Sequence, residues 1–244
     1  MQGGDGVGGP ELGYALAAAA ANVLGAAALT WRRRWSVGVL EGVLALAAGF
    51  MLSVTLVEMM PEAIAALGGA AALVMLVGYL LVHLTQHTLT PHFHFGEETH
   101  EVSRVVSSSA LVGLLLHTFV DGVAIASAAR VSAALGALVF IAILLHKFPE
   151  GLAISSLFLA AGAARSRALL AAAALGAATV AGALLADSLP GLREYGLALA
   201  AGVTLYVAAS NLVPEFQPKS GWRLPASFFA GCGLFFVARA VTGR

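Results

Sequence analysis

Apolar residues run along this chain in blocks, each about the 20-residue length that a helix needs to cross the hydrocarbon core of a bilayer. Short polar segments marked by Pro, Gly and charge separate the blocks. The pattern predicts spans at about 12–30, 36–60, 67–89, 105–128, 131–159, 166–188, 193–213 and 224–242. A spanning helix satisfies its own backbone hydrogen bonds, so the expected fold is all-α, a polytopic membrane bundle of eight transmembrane helices. No stretch is left for a soluble domain, and residues 1–244 read as a single transmembrane domain.

The spans are not independent. AAGFMLSVTLVEMMPE, Ala47 to Glu62, matches AAGVTLYVAASNLVPE, Ala200 to Glu215, at Ala47/Ala200, Gly49/Gly202, Leu52/Leu205, Val54/Val207, Pro61/Pro214 and Glu62/Glu215, among others. HTFVDGVAIASA from His117 and HKFPEGLAISSL from His146 share the pairs His117/His146, Phe119/Phe148, Asp121/Glu150, Gly122/Gly151, Ala124/Ala153, Ile125/Ile154 and Ser127/Ser156. The first pair of segments lies in spans two and seven, the second in spans four and five, so both pairs run in opposite directions. One pseudo-two-fold axis in the membrane plane fits both, the inverted-repeat plan of many secondary transporters, with binding near the midplane.

Composition and charge agree with this frame. The chain is 59% hydrophobic and 11% charged, with mean hydropathy +0.90, against about 25% charged residues in a soluble domain. The formal net charge is zero and Trp31 to Trp35 holds the only basic cluster, which excludes nucleic acid as a partner. Counting basic residues in short loops with the N-terminus outside puts Arg32, Arg33, Arg34, Arg104, Arg165, Arg167, Lys219 and Arg223 on the cytoplasmic side. Only Arg130, Arg193, Arg239 and Arg244 fall opposite. Both termini are therefore expected outside the cytoplasm, in a cell (inner or plasma) membrane. The N-terminus lacks the features of a cleaved signal peptide, so the first helix is expected to be retained. Cys232 is the single cysteine and reads as a small packing residue.

The duplicated phrases carry the chemistry. In each, a histidine and an acid four residues apart lie on one face of a helix, in surroundings where an unpartnered imidazole or carboxylate is expensive. Ordinary interhelical polar pairing would explain one such pair, but two copies in one layer point to a divalent-metal site of His117, Asp121, His146 and Glu150. Two imidazoles and two carboxylates suit zinc, and also iron, cobalt, cadmium or manganese. Glu58, with Asn211 at its matching position, either lines a polar path or sits at a span end near Pro61. Met51 is a packing residue by default and a soft ligand only if the fold brings it to the site. Pro149 frees the Leu145 carbonyl beside the site and is expected to kink the helix. Between spans three and four, HLTQHTLTPHFHFGEETHE holds His83, His87, His92, His94 and His100, five of the seven histidines. The tract predicts a His-rich cytoplasmic loop at about 90–104 that binds metal weakly, with His83 and His87 spaced to chelate at a helix end.

With these residues in view, the chain resembles the ZIP (Zrt/Irt-like) family of metal-ion transporters over essentially its whole length. The carrying features are HTFVDGVAIASA, HKFPEGLAISS, eight spans, outside termini and the His-rich loop. The resemblance implies transport of zinc, or of iron, manganese or cadmium, toward the cytoplasm, with the ion as substrate and no cofactor. It implies His117, Asp121, His146 and Glu150 as the primary site with Met51 as a contributor, and alternating access in which spans one, four, five and six move against two, three, seven and eight. Two positions depart from the family pattern: Thr118 stands for the usual asparagine, and Lys147 for the usual acid or amide. Those positions normally help to form a second metal site. Lys147 is expected instead to act as a counter-ion that flanks the carboxylates and repels a second cation; the alternative is a side chain that snorkels to an interface. The expected partners are a divalent ion and the bilayer, with a homodimer as a further assembly. Two rival readings are a metal exporter resembling the cation diffusion facilitators and an intramembrane zinc hydrolase. The exporters carry a soluble C-terminal domain for which no chain is left here, and the hydrolase would need a general base and an open coordination position.

Overall fold

The structure, a computed structural model, describes residues 9–31, 37–88, 104–186 and 188–244. All regular structure among these is helical: α1 (Pro10–Trp31), α2 (Val37–Val54), α3 (Met60–Leu67), α4 (Ala70–Thr88), α5 (Arg104–Val131), α6 (Ala133–Ala160), α7 (Arg165–Leu185), α8 (Pro190–Tyr206), α9 (Val213–Phe216) and α10 (Arg223–Val241). Seven helical segments among the described residues are long and apolar enough to cross a membrane, and Ala70–Thr85 is a shorter apolar helix. The predicted spans and these helices coincide to within about three residues at each end, except that the second continues through α3 to Leu67, seven residues past its predicted end, and the third is the shorter apolar helix. His92, His94 and His100 lie outside the described residues.

Local sequence explains where the helices begin and end. The Ser132 hydroxyl accepts a hydrogen bond from the Leu135 amide at 3.1 Å and caps α6. Gly68, at φ 58°, ends α3 in a conformation that side-chain-bearing residues rarely adopt. The predicted spans two and seven each contain one turn of π-helix, Thr55–Met59 and Val207–Leu212. The Met60 amide donates to the Thr55 carbonyl and the Val213 amide to the Ala208 carbonyl, five residues back in each case. A proline follows directly, Pro61 or Pro214, whose ring would clash with an α-helical carbonyl four residues earlier. The wider turn lets the chain continue past it. Both π-turns fall at matching places in the repeated segments Ala47–Glu62 and Ala200–Glu215. By contrast, α6 continues as one helix through Pro149.

Glycines set which helices touch. A methyl group built on Gly25 of α1 would meet the Phe148 carbonyl oxygen of α6 at 2.2 Å, and one on Gly151 would meet the Asn22 carbonyl oxygen at 2.0 Å. The same reciprocal contact joins α5 and α7 at Gly122 and Gly182, where the opposing carbonyl oxygens of Thr179 and Phe119 lie at 1.9 Å from the added carbon. It joins α2 and α10 at Gly49 and Gly231, and α4 and α8 at Gly78 and Gly202. Close backbone approach over small residues is how helices associate where lipid is as apolar as leucine. The buried core runs through the centre with Phe50, Met51 and Val54 of α2, Val120 and Ile125 of α5, Leu138 and Ile143 of α6, and Val203 and Tyr206 of α8. Phe229, Phe236, Val237 and Val241 of α10 are exposed, as a lipid-facing helix requires.

Candidate metal site

The two repeated phrases fall in the middle of α5 and α6 and face each other. His117, Asp121, His146 and Glu150 are all buried, and one ligand atom from each lies within 4.8 Å of every other. Asp121 is the hub. Its Oδ2 lies 3.4 Å from Nε2 of His117 and 3.4 Å from Nε2 of His146. Four ligands at zinc bond lengths on a tetrahedron stand about 3.3–3.5 Å apart, so two edges already have that length. The glycine after each acid explains the local sequence. At Gly122 the backbone of α7 presses in, and at Gly151 that of α1, so each phrase is braced by a neighbouring helix directly beside its carboxylate.

Lys147 occupies the anionic side of the cluster. Its side chain is fully buried, with Nζ 2.6 Å from Asp121 Oδ2 and 2.8 Å from Glu150 Oε2. It does not snorkel; it bridges the two carboxylates across the α5/α6 interface. The Thr118 hydroxyl lies 3.0 Å from Glu150 Oε1 and also contacts the Leu114 carbonyl oxygen, leaving one proton for two acceptors. Two carboxylates against one ammonium leave a single negative charge when the imidazoles are neutral, a setting that attracts a divalent cation.

The imidazoles differ in their support. Nδ1 of His146 sits 3.0 Å from the Ala142 carbonyl oxygen, a contact that places the proton on Nδ1 and turns the Nε2 lone pair toward Asp121. Nδ1 of His117 has no such partner. Among the described residues, the buried side-chain polar atoms without a hydrogen-bond partner are His117 Nδ1 and both Nδ2 and Oδ1 of Asn22. Asn22, a single amide in the alanine run of α1, belongs to no repeat and no motif, and only its isolation among apolar residues marks it in the sequence.

Among the other candidate residues, Glu58 has partners of its own. Glu58, in the first π-turn, is buried and ion-paired: its Oε1 lies 2.6 Å from Arg239 Nε, and its Oε2 contacts Arg244, whose other nitrogen reaches Glu62 at 2.8 Å. Its partners are thus on and just beyond α10, not in the tetrad. Asn211, its counterpart, sits half-buried in the second π-turn. Met51 is fully buried in the central core. His83 is exposed near the end of α4, its ring 5.8 Å from that of Tyr206. His87 lies in the last turn of α4, and its side chain is outside the described set.

Residues 96–238 match the family model described as ZIP zinc transporter. No curated protein matches the chain.

Proposed function

Since the chain belongs to the ZIP zinc transporter family, we propose that it carries zinc toward the cytoplasm by alternating access, through the site of His117, Asp121, His146 and Glu150. Members of this family are transporters and not enzymes, and the chain is accordingly a divalent-metal transporter with multiple apolar membrane helices. The observation that carries the site assignment is the convergence of two His/acid pairs from separate helices on a volume small enough for one ion. A metal centre on facing helices of a bundle exposes its ligands to both sides as the helices tilt.

The helix pairing supports the proposed motion. All four reciprocal glycine contacts join helices within a group: α1 with α6 and α5 with α7 in one, α2 with α10 and α4 with α8 in the other. Among the described residues no such reciprocal contact joins one group to the other, which supports motion along that boundary. The matched π-turns and the two-by-two glycine contacts also favour eight spans arranged as inverted repeats, with α4 counted as the third. The bias of basic residues supports both termini outside the cytoplasm, and a cell membrane is the proposed location.

Lys147 serves in this reading as the resident counter-ion. Zinc entering the tetrad takes Asp121 Oδ2 from the ammonium, which withdraws toward Glu150, and the fixed positive charge keeps the site at one ion. The site offers oxygen and nitrogen donors, which leaves zinc, iron, manganese, cadmium and cobalt to be ranked. Uptake of that panel into proteoliposomes containing the purified protein tests the reading. Saturable inward zinc transport is expected; movement only out of zinc-loaded vesicles would favour an exporter, and neither movement would end the proposal.

The His-rich tract at about 90–104 is proposed as a cytoplasmic metal-collecting or sensing loop. Converting His83, His87, His92, His94 and His100 together to serine should change apparent affinity or regulation by a few-fold while transport persists. Complete loss of transport would place the tract in the core pathway.

A further inference from the structure

A metal-ligating histidine almost always donates its second ring N–H to a fixed acceptor, which sets the tautomer and the ring's aim. His146 has that acceptor in the Ala142 carbonyl. His117 does not, although its ring is buried. Asn22 has the complementary defect, a fully buried carboxamide whose oxygen and nitrogen are both unpaired. A bundle in lipid has every reason to satisfy or remove such groups.

The two defects share one layer. The inward stripe of α1 runs Ala15, Ala18, Asn22 and Ala26. Ala15 packs in one cluster with Val123 and Ala126 of α5, and Ala26 in another with Leu111, Leu114 and Leu115 of α5. Asn22 lies between them along α1, and interpolating between the two clusters brings it to the α5 turn that carries His117. On α6 its backbone abuts Gly151, the residue after Glu150. Resting on the metal-site reading above, we propose that Asn22 is the positioning residue for His117, its Oδ1 accepting from the imidazole Nδ1–H through one bridging water. This holds the tautomer that presents Nε2 to the ion. The carboxamide does for His117 what the helix backbone does for His146, and it makes α1 a third helix of the site. An amide that served packing alone would be better replaced by leucine.

The test is the variant Asn22→Leu in the full-length protein, which keeps the branched shape at Cγ and removes the acceptor, with Asn22→Ala beside it in case the larger leucine disturbs folding. Zinc affinity, measured by competition with a chelating dye, should fall roughly tenfold to hundredfold, while the metal-free protein still melts cooperatively. In protein labelled with 15N-histidine, the Nδ1 signal of His117 should move and that of His146 should not. In a His117→Ala background Asn22→Leu should cause no further loss of affinity. Unchanged zinc affinity and an unchanged His117 signal, in a protein whose His117→Ala variant has lost binding, would overturn the proposal and leave the site standing. Wild-type binding by His117→Ala would overturn the site itself, and this inference with it.

Discussion

Asp121→Asn should abolish saturable zinc uptake. The hub oxygen Asp121 Oδ2 stands 3.4 Å from both imidazole Nε2 atoms and 2.6 Å from Lys147 Nζ, so it is the atom on which the two helices converge. The amide keeps the shape but loses the charge. The expected loss is at least about a hundredfold, above the roughly tenfold to hundredfold carried by groups that merely orient ligands. Alanine is a poorer probe, since it would also strip the buried ammonium of one of its two carboxylates. A protein that elutes as wild type yet transports nothing is the predicted result. Normal uptake by both Asp121→Asn and Glu150→Gln would remove the tetrad from the pathway.

Lys147→Met should destabilise the metal-free protein and make it depend on zinc. Two buried carboxylates would lose the ammonium that contacts both, and breaking a buried ion pair from one side costs about 3–5 kcal/mol. Zinc would then supply the missing charge. The metal-free variant should melt well below the wild type, and the rise in melting temperature on adding zinc should exceed the wild-type rise. Zinc should also bind more tightly, because it no longer displaces a cation. Equal melting temperatures and equal zinc-induced shifts would show that the ammonium is not balancing the site. Lys147→Glu takes the argument further, since it replaces the repelling charge with a ligand and should admit a second ion about 3.5–4 Å from the first.

Much of this molecule is written in its apolar blocks and repeated phrases. Helix positions follow because a lipid-facing or core helix has no polar face to obscure its length, and the tetrad follows because His117/Asp121 and His146/Glu150 duplicate one another at helical spacing. The misses have physical causes. The π-turns at Thr55–Met59 and Val207–Leu212 change the hydrogen-bond register by one residue, which leaves the apolar pattern intact; only Pro61 and Pro214 mark them. Spacing placed Lys147 beside the carboxylates, but its bridge from Asp121 to Glu150 depends on how closely α5 and α6 approach. The clamp of Arg239 and Arg244 on Glu58 joins residues far apart in sequence. Asn22 has no repeat partner, so its significance emerges only from what surrounds it.

Anomalous diffraction at the zinc edge, on crystals of the zinc-loaded protein, tests the central claim most directly. One strong peak is predicted between α5 and α6, at about 2.0–2.2 Å from an atom of each of His117, Asp121, His146 and Glu150, with Lys147 Nζ drawn away from Asp121. Zinc bound elsewhere, with no density among those four side chains, would contradict the account.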